Sequence, residues 1–440
     1  MNFNISLFEI IFGRLTPEPS NLFGKILIIT HTVVLTTIAV VYFYQLIINL
    51  ISIFAHKKFP VAQEKHKYII LTSARNEENI VAQFVKGIRR VDYDQDLLEI
   101  HLIADNCTDN TAEIARKLGI KVFERNDLTK IGKSYALSYY FNEIGSKYNS
   151  FAGFIILDTD NILHVDYINE INKVYDSKRA NVIASYRASS NFGKSLWSFG
   201  TGYAFLRECT LMHKGREVIG LSSYISGTGF FVSMKKIREE GGWNYFTFIE
   251  DIEFSLNQAL QREKIHYAHD AIFYDEQPTR LKYSWRQRLR WVKGLYQCTE
   301  KYTGKLFKAI FKKEYNPQQK FSAFEALVFV LPLPTIIIVW YIFYGFLSLI
   351  NLAFGASLNY IFLTFGLSLI DFAFGFYVFT TVMSLIISFA NWKRIKMHPV
   401  LKIIYPFFAF FYLLTYAPIL IAAIFAKVEW KPIPHYGSED

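Results

Sequence analysis

The chain has 440 residues, 52% hydrophobic and 17% aromatic, with 48 basic against 38 acidic side chains and a formal charge of +10. The aromatic total (41 Phe, 28 Tyr, 7 Trp) excludes a disordered or fibrous chain, and charged residues at only 20%, below the roughly 25% of soluble domains, argue against a purely soluble one. The apolar residues collect at the two ends, and the middle has an ordinary soluble composition.

Thirty-one residues separate Lys25 from Lys57 without an Asp, Glu, Lys or Arg. That exceeds the roughly 20 needed to cross a bilayer as a helix. The stretch is too long for a signal-peptide core and lacks a basic region before it, so it reads as an uncleaved signal anchor. No charge occurs from Ala326 to Ile370, a stretch too long for one span, with a natural break at Asn351 to Asn359. Apolar sequence continues from Phe372 to Trp392, and a last uncharged run covers Ile403 to Ala426. Four spans are expected, about 26–50, 326–350, 360–388 and 403–426. Asp371 either lines a polar conduit or sits at a helix end or in a kink.

Lys57, Lys58, Lys65 and Lys67 follow the first span, and Lys393, Arg394 and Lys396 separate the third from the fourth. The positive-inside rule then puts the middle domain in the cytoplasm and the tail after Lys427 outside. Three cysteines (Cys107, Cys209, Cys298) in a cytoplasmic domain read as reduced thiols.

Between the spans the pattern alternates strand with helix. Strands are expected at Tyr68 to Thr72, Leu98 to Ile103, Lys121 to Glu124 and Phe151 to Leu157. Helices are expected at Glu77 to Arg90, from Asp109 onward, and at Ser134 to Asn142. Such alternation implies a parallel sheet with helices on both faces, whose ligands bind beyond the carboxyl ends of the strands. Polar clusters stand at three of those ends: Ser73 to Glu78, Ala104 to Asp109, and Asp158 to Asn161.

No G-x-G-x-x-G follows the first strand, so a dinucleotide cofactor is disfavoured. Gly132-Lys133-Ser134 imitates the end of a phosphate loop, but Asp127 replaces its first glycine; Lys133 remains a point charge for a phosphate. Asp158 and Asp160, one residue apart just past a buried strand, suit a hard divalent cation that keeps substrate oxygens as further ligands. Ser226-Gly227-Thr228-Gly229 reads as a tight turn beside a ligand, and Glu250-Asp251 opens a helix. Trp285 to Trp291 is dense in cations and aromatics, and lysines continue to the membrane.

In order, Asp105, Asp158 with Asp160, Glu250-Asp251, and Gln287-x-x-Arg290-Trp291 resemble the D, D-x-D, (T/S/E)-D, Q-x-x-R-W signature of membrane-embedded family 2 glycosyltransferases. These are the cellulose, poly-N-acetylglucosamine and hyaluronan synthases and their relatives. The resemblance covers about residues 60–300. Departures are Ile249 in place of a frequent Thr, and Asn106-Cys107 in place of a common Gly-Ser. Trp430 to His435 also resembles a tail motif of some relatives.

The resemblance implies an integral membrane protein: an α/β GT-A (Rossmann-like) cytoplasmic domain inserted between transmembrane helices, at the plasma membrane. The expected parts are 1–56 with the first span, 57–283 as the glycosyltransferase domain, 284–322 as the Q-x-x-R-W segment with interfacial helices, 323–428 as the remaining spans, and 429–440 as tail. It further implies that Ala74, Glu77 and Asp105 border the nucleoside of a UDP-sugar, with Lys133, Asp158 and Arg290 toward the diphosphate. Asp158 and Asp160 would hold Mg²⁺ or Mn²⁺, and Asp251, beside Glu250, would be the general base. Gln287, Trp291 and the turn Gly227, Thr228 and Gly229 would hold the acceptor. The implied partners are a UDP-sugar, a growing polysaccharide and the bilayer, with no nucleic acid, and a homo-oligomer is left open. A non-processive transferase acting on a lipid acceptor and a non-catalytic basic membrane scaffold are the competing readings.

Overall fold

The computed structural model describes residues 21–144 and 147–429, so the tail motif lies outside the described residues. The central domain is built on one eight-stranded sheet: β1 (Tyr68–Ala74), β2 (Leu98–Asp105), β3 (Lys121–Arg125), β4 (Gly153–Leu157), β5 (Ile162–Leu163), β6 (Val182–Ser189), β7 (Phe230–Ser233) and β8 (Ile265–Asp275). Their order in space is β3-β2-β1-β4-β7-β6-β8-β5.

The four strands legible in the sequence form the expected parallel half, with β1 between β2 and β4. Tyr68 to Leu71 and Phe154 to Leu157 are fully buried, as continuous apolar strands covered on both faces must be. Beyond β4 the sheet is mixed, which corrects the parallel expectation. β7 runs antiparallel to both β4 and β6. The physical reason is the glycine turn 226–229, which brings the chain back beside β4 with Gly229 N donating to Ile156 O at 2.9 Å. Gly229 has φ +67°, and a Cβ there would stand 2.0 Å from the Phe273 ring, so this close approach needs glycine.

Among the described residues, four helices are long and apolar enough to cross a membrane: Leu22–Phe54, Leu333–Phe354, Leu358–Ala390 and Pro399–Phe425. The second starts later than expected. Residues 317–330 form a separate helix, because Pro332 and Pro334 break the run after Val330. Asp371 lies inside the third span, not at its end. Polar contacts join the first three spans: His31 Nδ1 accepts from Trp340 Nε1 at 3.0 Å, and its Nε2 meets Ser368 Oγ at 3.0 Å. Such bonds hold helices together where the lipid supplies no hydrophobic drive.

Candidate active site

At the exits of β1 and β2 two loops bind one another. Asn76 Oδ1 accepts from Thr108 N at 2.7 Å, Thr111 Oγ1 accepts from Glu77 N at 2.8 Å, and Cys107 Sγ donates to Ala74 O at 3.4 Å. Asn76 and Asn106 have φ of +58° and +54°, a left-handed conformation that asparagine tolerates better than most residues. Asn106 thus takes a left-handed backbone shape that suits glycine. Asp105 is buried and its Oδ1 accepts from Arg125 Nη1 at 2.6 Å and from Asn106 Nδ2 at 3.0 Å. Burial pushes the Asp105 carboxyl above its ordinary range, against the pull of Arg125. Arg125 escaped the sequence reading. Its only signal is register, since it stands opposite Asp105 on the neighbouring strand.

The turn 226–229 joins the remaining parts. Lys133 Nζ donates to Asp158 Oδ1 at 2.5 Å and to Gly227 O at 3.0 Å. Thr228 Oγ1 accepts from Asp158 N at 2.8 Å and donates to Asn161 Oδ1 at 2.7 Å, and Asn161 Nδ2 donates to Asp160 Oδ1 at 3.0 Å. Gly227 N donates to Asp251 Oδ2. Gly227, with φ +78°, makes these contacts in a backbone shape that suits glycine. Arg187 Nη1 donates to Ser226 O at 2.8 Å, while its Nε and Nη2 hold Asp275. Arg187 and Asp275, on β6 and β8, were also missed; they reach the site only through the mixed half of the sheet.

Glu250 and Asp251 begin the helix Glu250–Leu260. Burial raises both carboxyls; for Glu250 the charge of Asp251 adds to this, and Lys133 and Arg290 oppose it. The long helix Leu281–Ile310 presses on the segment just before them. A Cβ on Gly294 would lie 2.9 Å from the Ile249 side chain and 3.0 Å from its N. Gln297 Oε1 accepts from Phe248 N at 3.1 Å, and Lys301 pairs with Glu253. The same helix carries Gln287, Arg290 and Trp291, and Trp291 meets the Phe205 ring edge-on at 6.0 Å.

Arg288, between the motif positions, turns into the membrane junction. It is fully buried, donates to Thr415 Oγ1 at 2.6 Å, and lies 4.6 and 4.9 Å from the Tyr412 and Tyr416 rings. Tyr296 OH donates to Leu420 O at 3.0 Å. The helix above the acids is thereby fixed to the last span.

Apart from Gln287 and Trp291 on the long helix, the expected residues fall into two neighbouring groups. Ala74, Glu77 and Asp105 stand at the β1 and β2 exits; Lys133, Asp158, Gly227, Thr228 and Asp251 are joined by hydrogen bonds, with Glu250 in the field of Arg290. Asp158 and Asp160 offer two hard carboxylate oxygens in a crevice that also holds Glu250, Asp251 and Asp275, each raised by burial. The Asp158 and Asp160 carboxylates are the hard oxygen donors that a divalent cation such as Mg²⁺ or Mn²⁺ takes, so this pair fits such an ion.

A GT-A sheet with an acidic pair beyond β4, carried by a chain with four apolar helices, defines a membrane glycosyltransferase. The family described as Glycosyl transferase family group 2 matches residues 153–425, and the chain belongs to it. Among curated relatives, the Synechocystis beta-monoglucosyldiacylglycerol synthase is 26% identical over 234 residues, 52% of this chain and 47% of that protein. The Bacillus subtilis probable glycosyltransferase YdaM is 28% identical over 255 residues, 56% of this chain and 59% of that protein. The Staphylococcus aureus poly-beta-1,6-N-acetyl-D-glucosamine synthase is 28% identical over 233 residues, 51% of this chain and 53% of that protein. These matches span about half the length of the relatives. A mannosyltransferase from Pyrobaculum calidifontis, solved with GDP-Man and Mn²⁺, shares the fold at a TM-score of 0.54 and 16% identity, over 82% of this chain and 96% of that one.

Proposed function

We propose that this family 2 enzyme is an inverting polysaccharide synthase of the plasma membrane, its sheet domain in the cytoplasm. It transfers a hexose from a UDP-sugar to the end of a growing chain and passes that chain out through its own spans. UDP-glucose is the favoured donor and UDP-N-acetylglucosamine the next. The observation that carries this reading is the locking of the Gln287–Trp291 helix over the Asp251 turn by Gly294 and Gln297. Trp291, an apolar face suited to a sugar ring, packs against the cluster that contains Ile249 and Ile252, the residues flanking Glu250 and Asp251.

Asp251 takes the proton of the acceptor hydroxyl as it attacks the anomeric carbon from the face opposite UDP, a contribution of about 10²–10⁴-fold for a positioned base. Gly227 N holds the Asp251 carboxylate in place. Asp158 and Asp160 would hold Mg²⁺ or Mn²⁺, which supplies positive charge to the departing diphosphate. Lys133 and Arg290 add cationic donors on the same side. Ala74, Glu77 and Asp105 border the nucleoside.

A second reading, transfer of one sugar to a lipid, is favoured by one observation. The glucosyldiacylglycerol synthases are among the relatives. The described spans are mostly exposed along their apolar lengths, as helices facing lipid are. The test is to incubate the full-length protein in nanodiscs with UDP-glucose or UDP-N-acetylglucosamine and Mg²⁺ or Mn²⁺, then size the product. Polymer is expected; a single-sugar lipid moves the assignment to the second reading, and absence of UDP release with either donor overturns both.

A further inference from the structure

Two consecutive residues of the 226–229 turn each hold a carboxylate. Gly227 N donates to Asp251 Oδ2, and Ser226 Oγ donates to Glu208 Oε2 at 3.4 Å. Glu208 belongs to none of the sequence motifs. It sits where the helix Leu196–Arg207 widens into a π-helical turn, Glu208–His213. Such widened turns re-aim side chains and recur at functional sites.

The surroundings of Glu208 are polar and partly enclosed. Glu208, Arg187, Phe205, His213, Tyr224 and Ser226 line one cleft behind the turn. The guanidinium of Arg187 is engaged by Asp275 and Ser226 O, and its face stacks on Phe205 at 3.6 Å. It therefore bounds the cleft and, like Arg207, acts on Glu208 through its charge, with no salt bridge to it among the described residues. His213 is 3% exposed, and its Nδ1 has no hydrogen-bond partner among the described residues. The cleft thus offers an acceptor at Glu208 and a buried ring nitrogen at His213. Phe205, one turn before Glu208, touches Trp291, so the cleft adjoins the apolar face assigned above to the acceptor.

We propose that Glu208 is the acceptor-specificity residue of this enzyme: its carboxylate accepts a hydrogen bond from a second hydroxyl of the acceptor, turning the attacking hydroxyl toward Asp251. This rests on the glycosyltransferase reading of the Asp251 site and deepens it. A carboxylate in this place selects acceptors with more than one hydroxyl, such as a saccharide end, over a diacylglycerol, which offers a single one.

The experiment uses full-length protein in nanodiscs, UDP-glucose or UDP-N-acetylglucosamine (whichever wild type hydrolyses), Mn²⁺, and two probe acceptors, cellotetraose and dioleoylglycerol. Wild type should prefer cellotetraose. Glu208→Gln should raise the KM for cellotetraose by about tenfold or more, the loss of a hydrogen bond to a charged group. Donor hydrolysis without acceptor and donor KM should stay near wild type, whereas a merely structural role would move all of these together. Glu208→Asp, which keeps the charge, should recover part of the effect and serves if the Gln variant folds poorly. An unchanged acceptor KM in both variants overturns the assignment, as does a parallel loss of donor hydrolysis. Wild-type transfer to dioleoylglycerol alone overturns the saccharide acceptor and this role with it. Absence of donor hydrolysis in wild type refutes the function itself, an outcome distinct from the others.

Discussion

Lys133 donates to Asp158 at 2.5 Å and, with the same ammonium group, to the carbonyl of Gly227 at 3.0 Å. One lysine thereby joins the acidic pair at the end of β4 to the turn that holds Asp251. A diphosphate and its cation entering here compete for both partners of that ammonium group. Replacing Lys133 with Met should raise the donor KM by about 10–100-fold, the range for a charge-assisted hydrogen bond. Initial-rate kinetics at varied UDP-sugar measure it, and a change confined to kcat would contradict the assignment.

Asp251→Asn keeps the shape of the side chain and removes the base. Transfer should fall by about 10²–10⁴-fold, while UDP binding measured by calorimetry stays within a few-fold of wild type. Normal turnover in that variant would sink the role given to Asp251.

The pH dependence follows from the same carboxylates. Burial raises both Asp251 and Glu250, so the protonated forms persist to higher pH than in an exposed acid. Because the base works only unprotonated, kcat/KM should rise with pH along an acid limb whose midpoint lies above the roughly 4 of an ordinary carboxyl. Glu250→Gln removes one negative neighbour and should move that limb to lower pH. A pH–rate profile unchanged by the substitution contradicts the coupling.

Gly294→Ala tests the fit between helix and turn. The new Cβ would stand 2.9 Å from the Ile249 side chain and 3.0 Å from its N, so the helix must move away. Overpacking of this kind typically costs about 1–3 kcal/mol. Thermal unfolding should report that loss, and activity should drop further than stability because Trp291 moves with the helix. The double variant with Ile249→Val should recover part of both.

Arg125→Ala leaves Asp105 buried without its cation. Losing one partner of a buried pair costs about 3–5 kcal/mol, so denaturant unfolding should show a marked drop in stability. Lowering the pH should narrow the gap between variant and wild type. The Asp105 carboxyl is already raised by burial, and without Arg125 it should rise further, so protonation relieves the variant more.

The sequence by itself determined the elements that depend on local pattern. Continuous apolar runs such as Phe154 to Leu157 had to be buried strands, and uncharged runs of more than 20 or so residues had to be membrane-length helices. The order of Asp105, Asp158, Asp160, Asp251 and Arg290 was legible as well, because those residues lie at strand exits and helix starts that local pattern already marks.

Only the tertiary structure decided which residues complete the site. Arg125 faces Asp105 through strand register, Arg187 and Asp275 reach the crevice through an antiparallel insertion, and Glu208 meets Ser226 across a π-helical turn. No periodicity encodes such contacts, since each depends on how separate segments pack. The same holds for Arg288, which lies between the signature residues Gln287 and Arg290. Its own side chain is buried against the last span, because its direction on the helix is set by packing at the membrane junction and not by the motif.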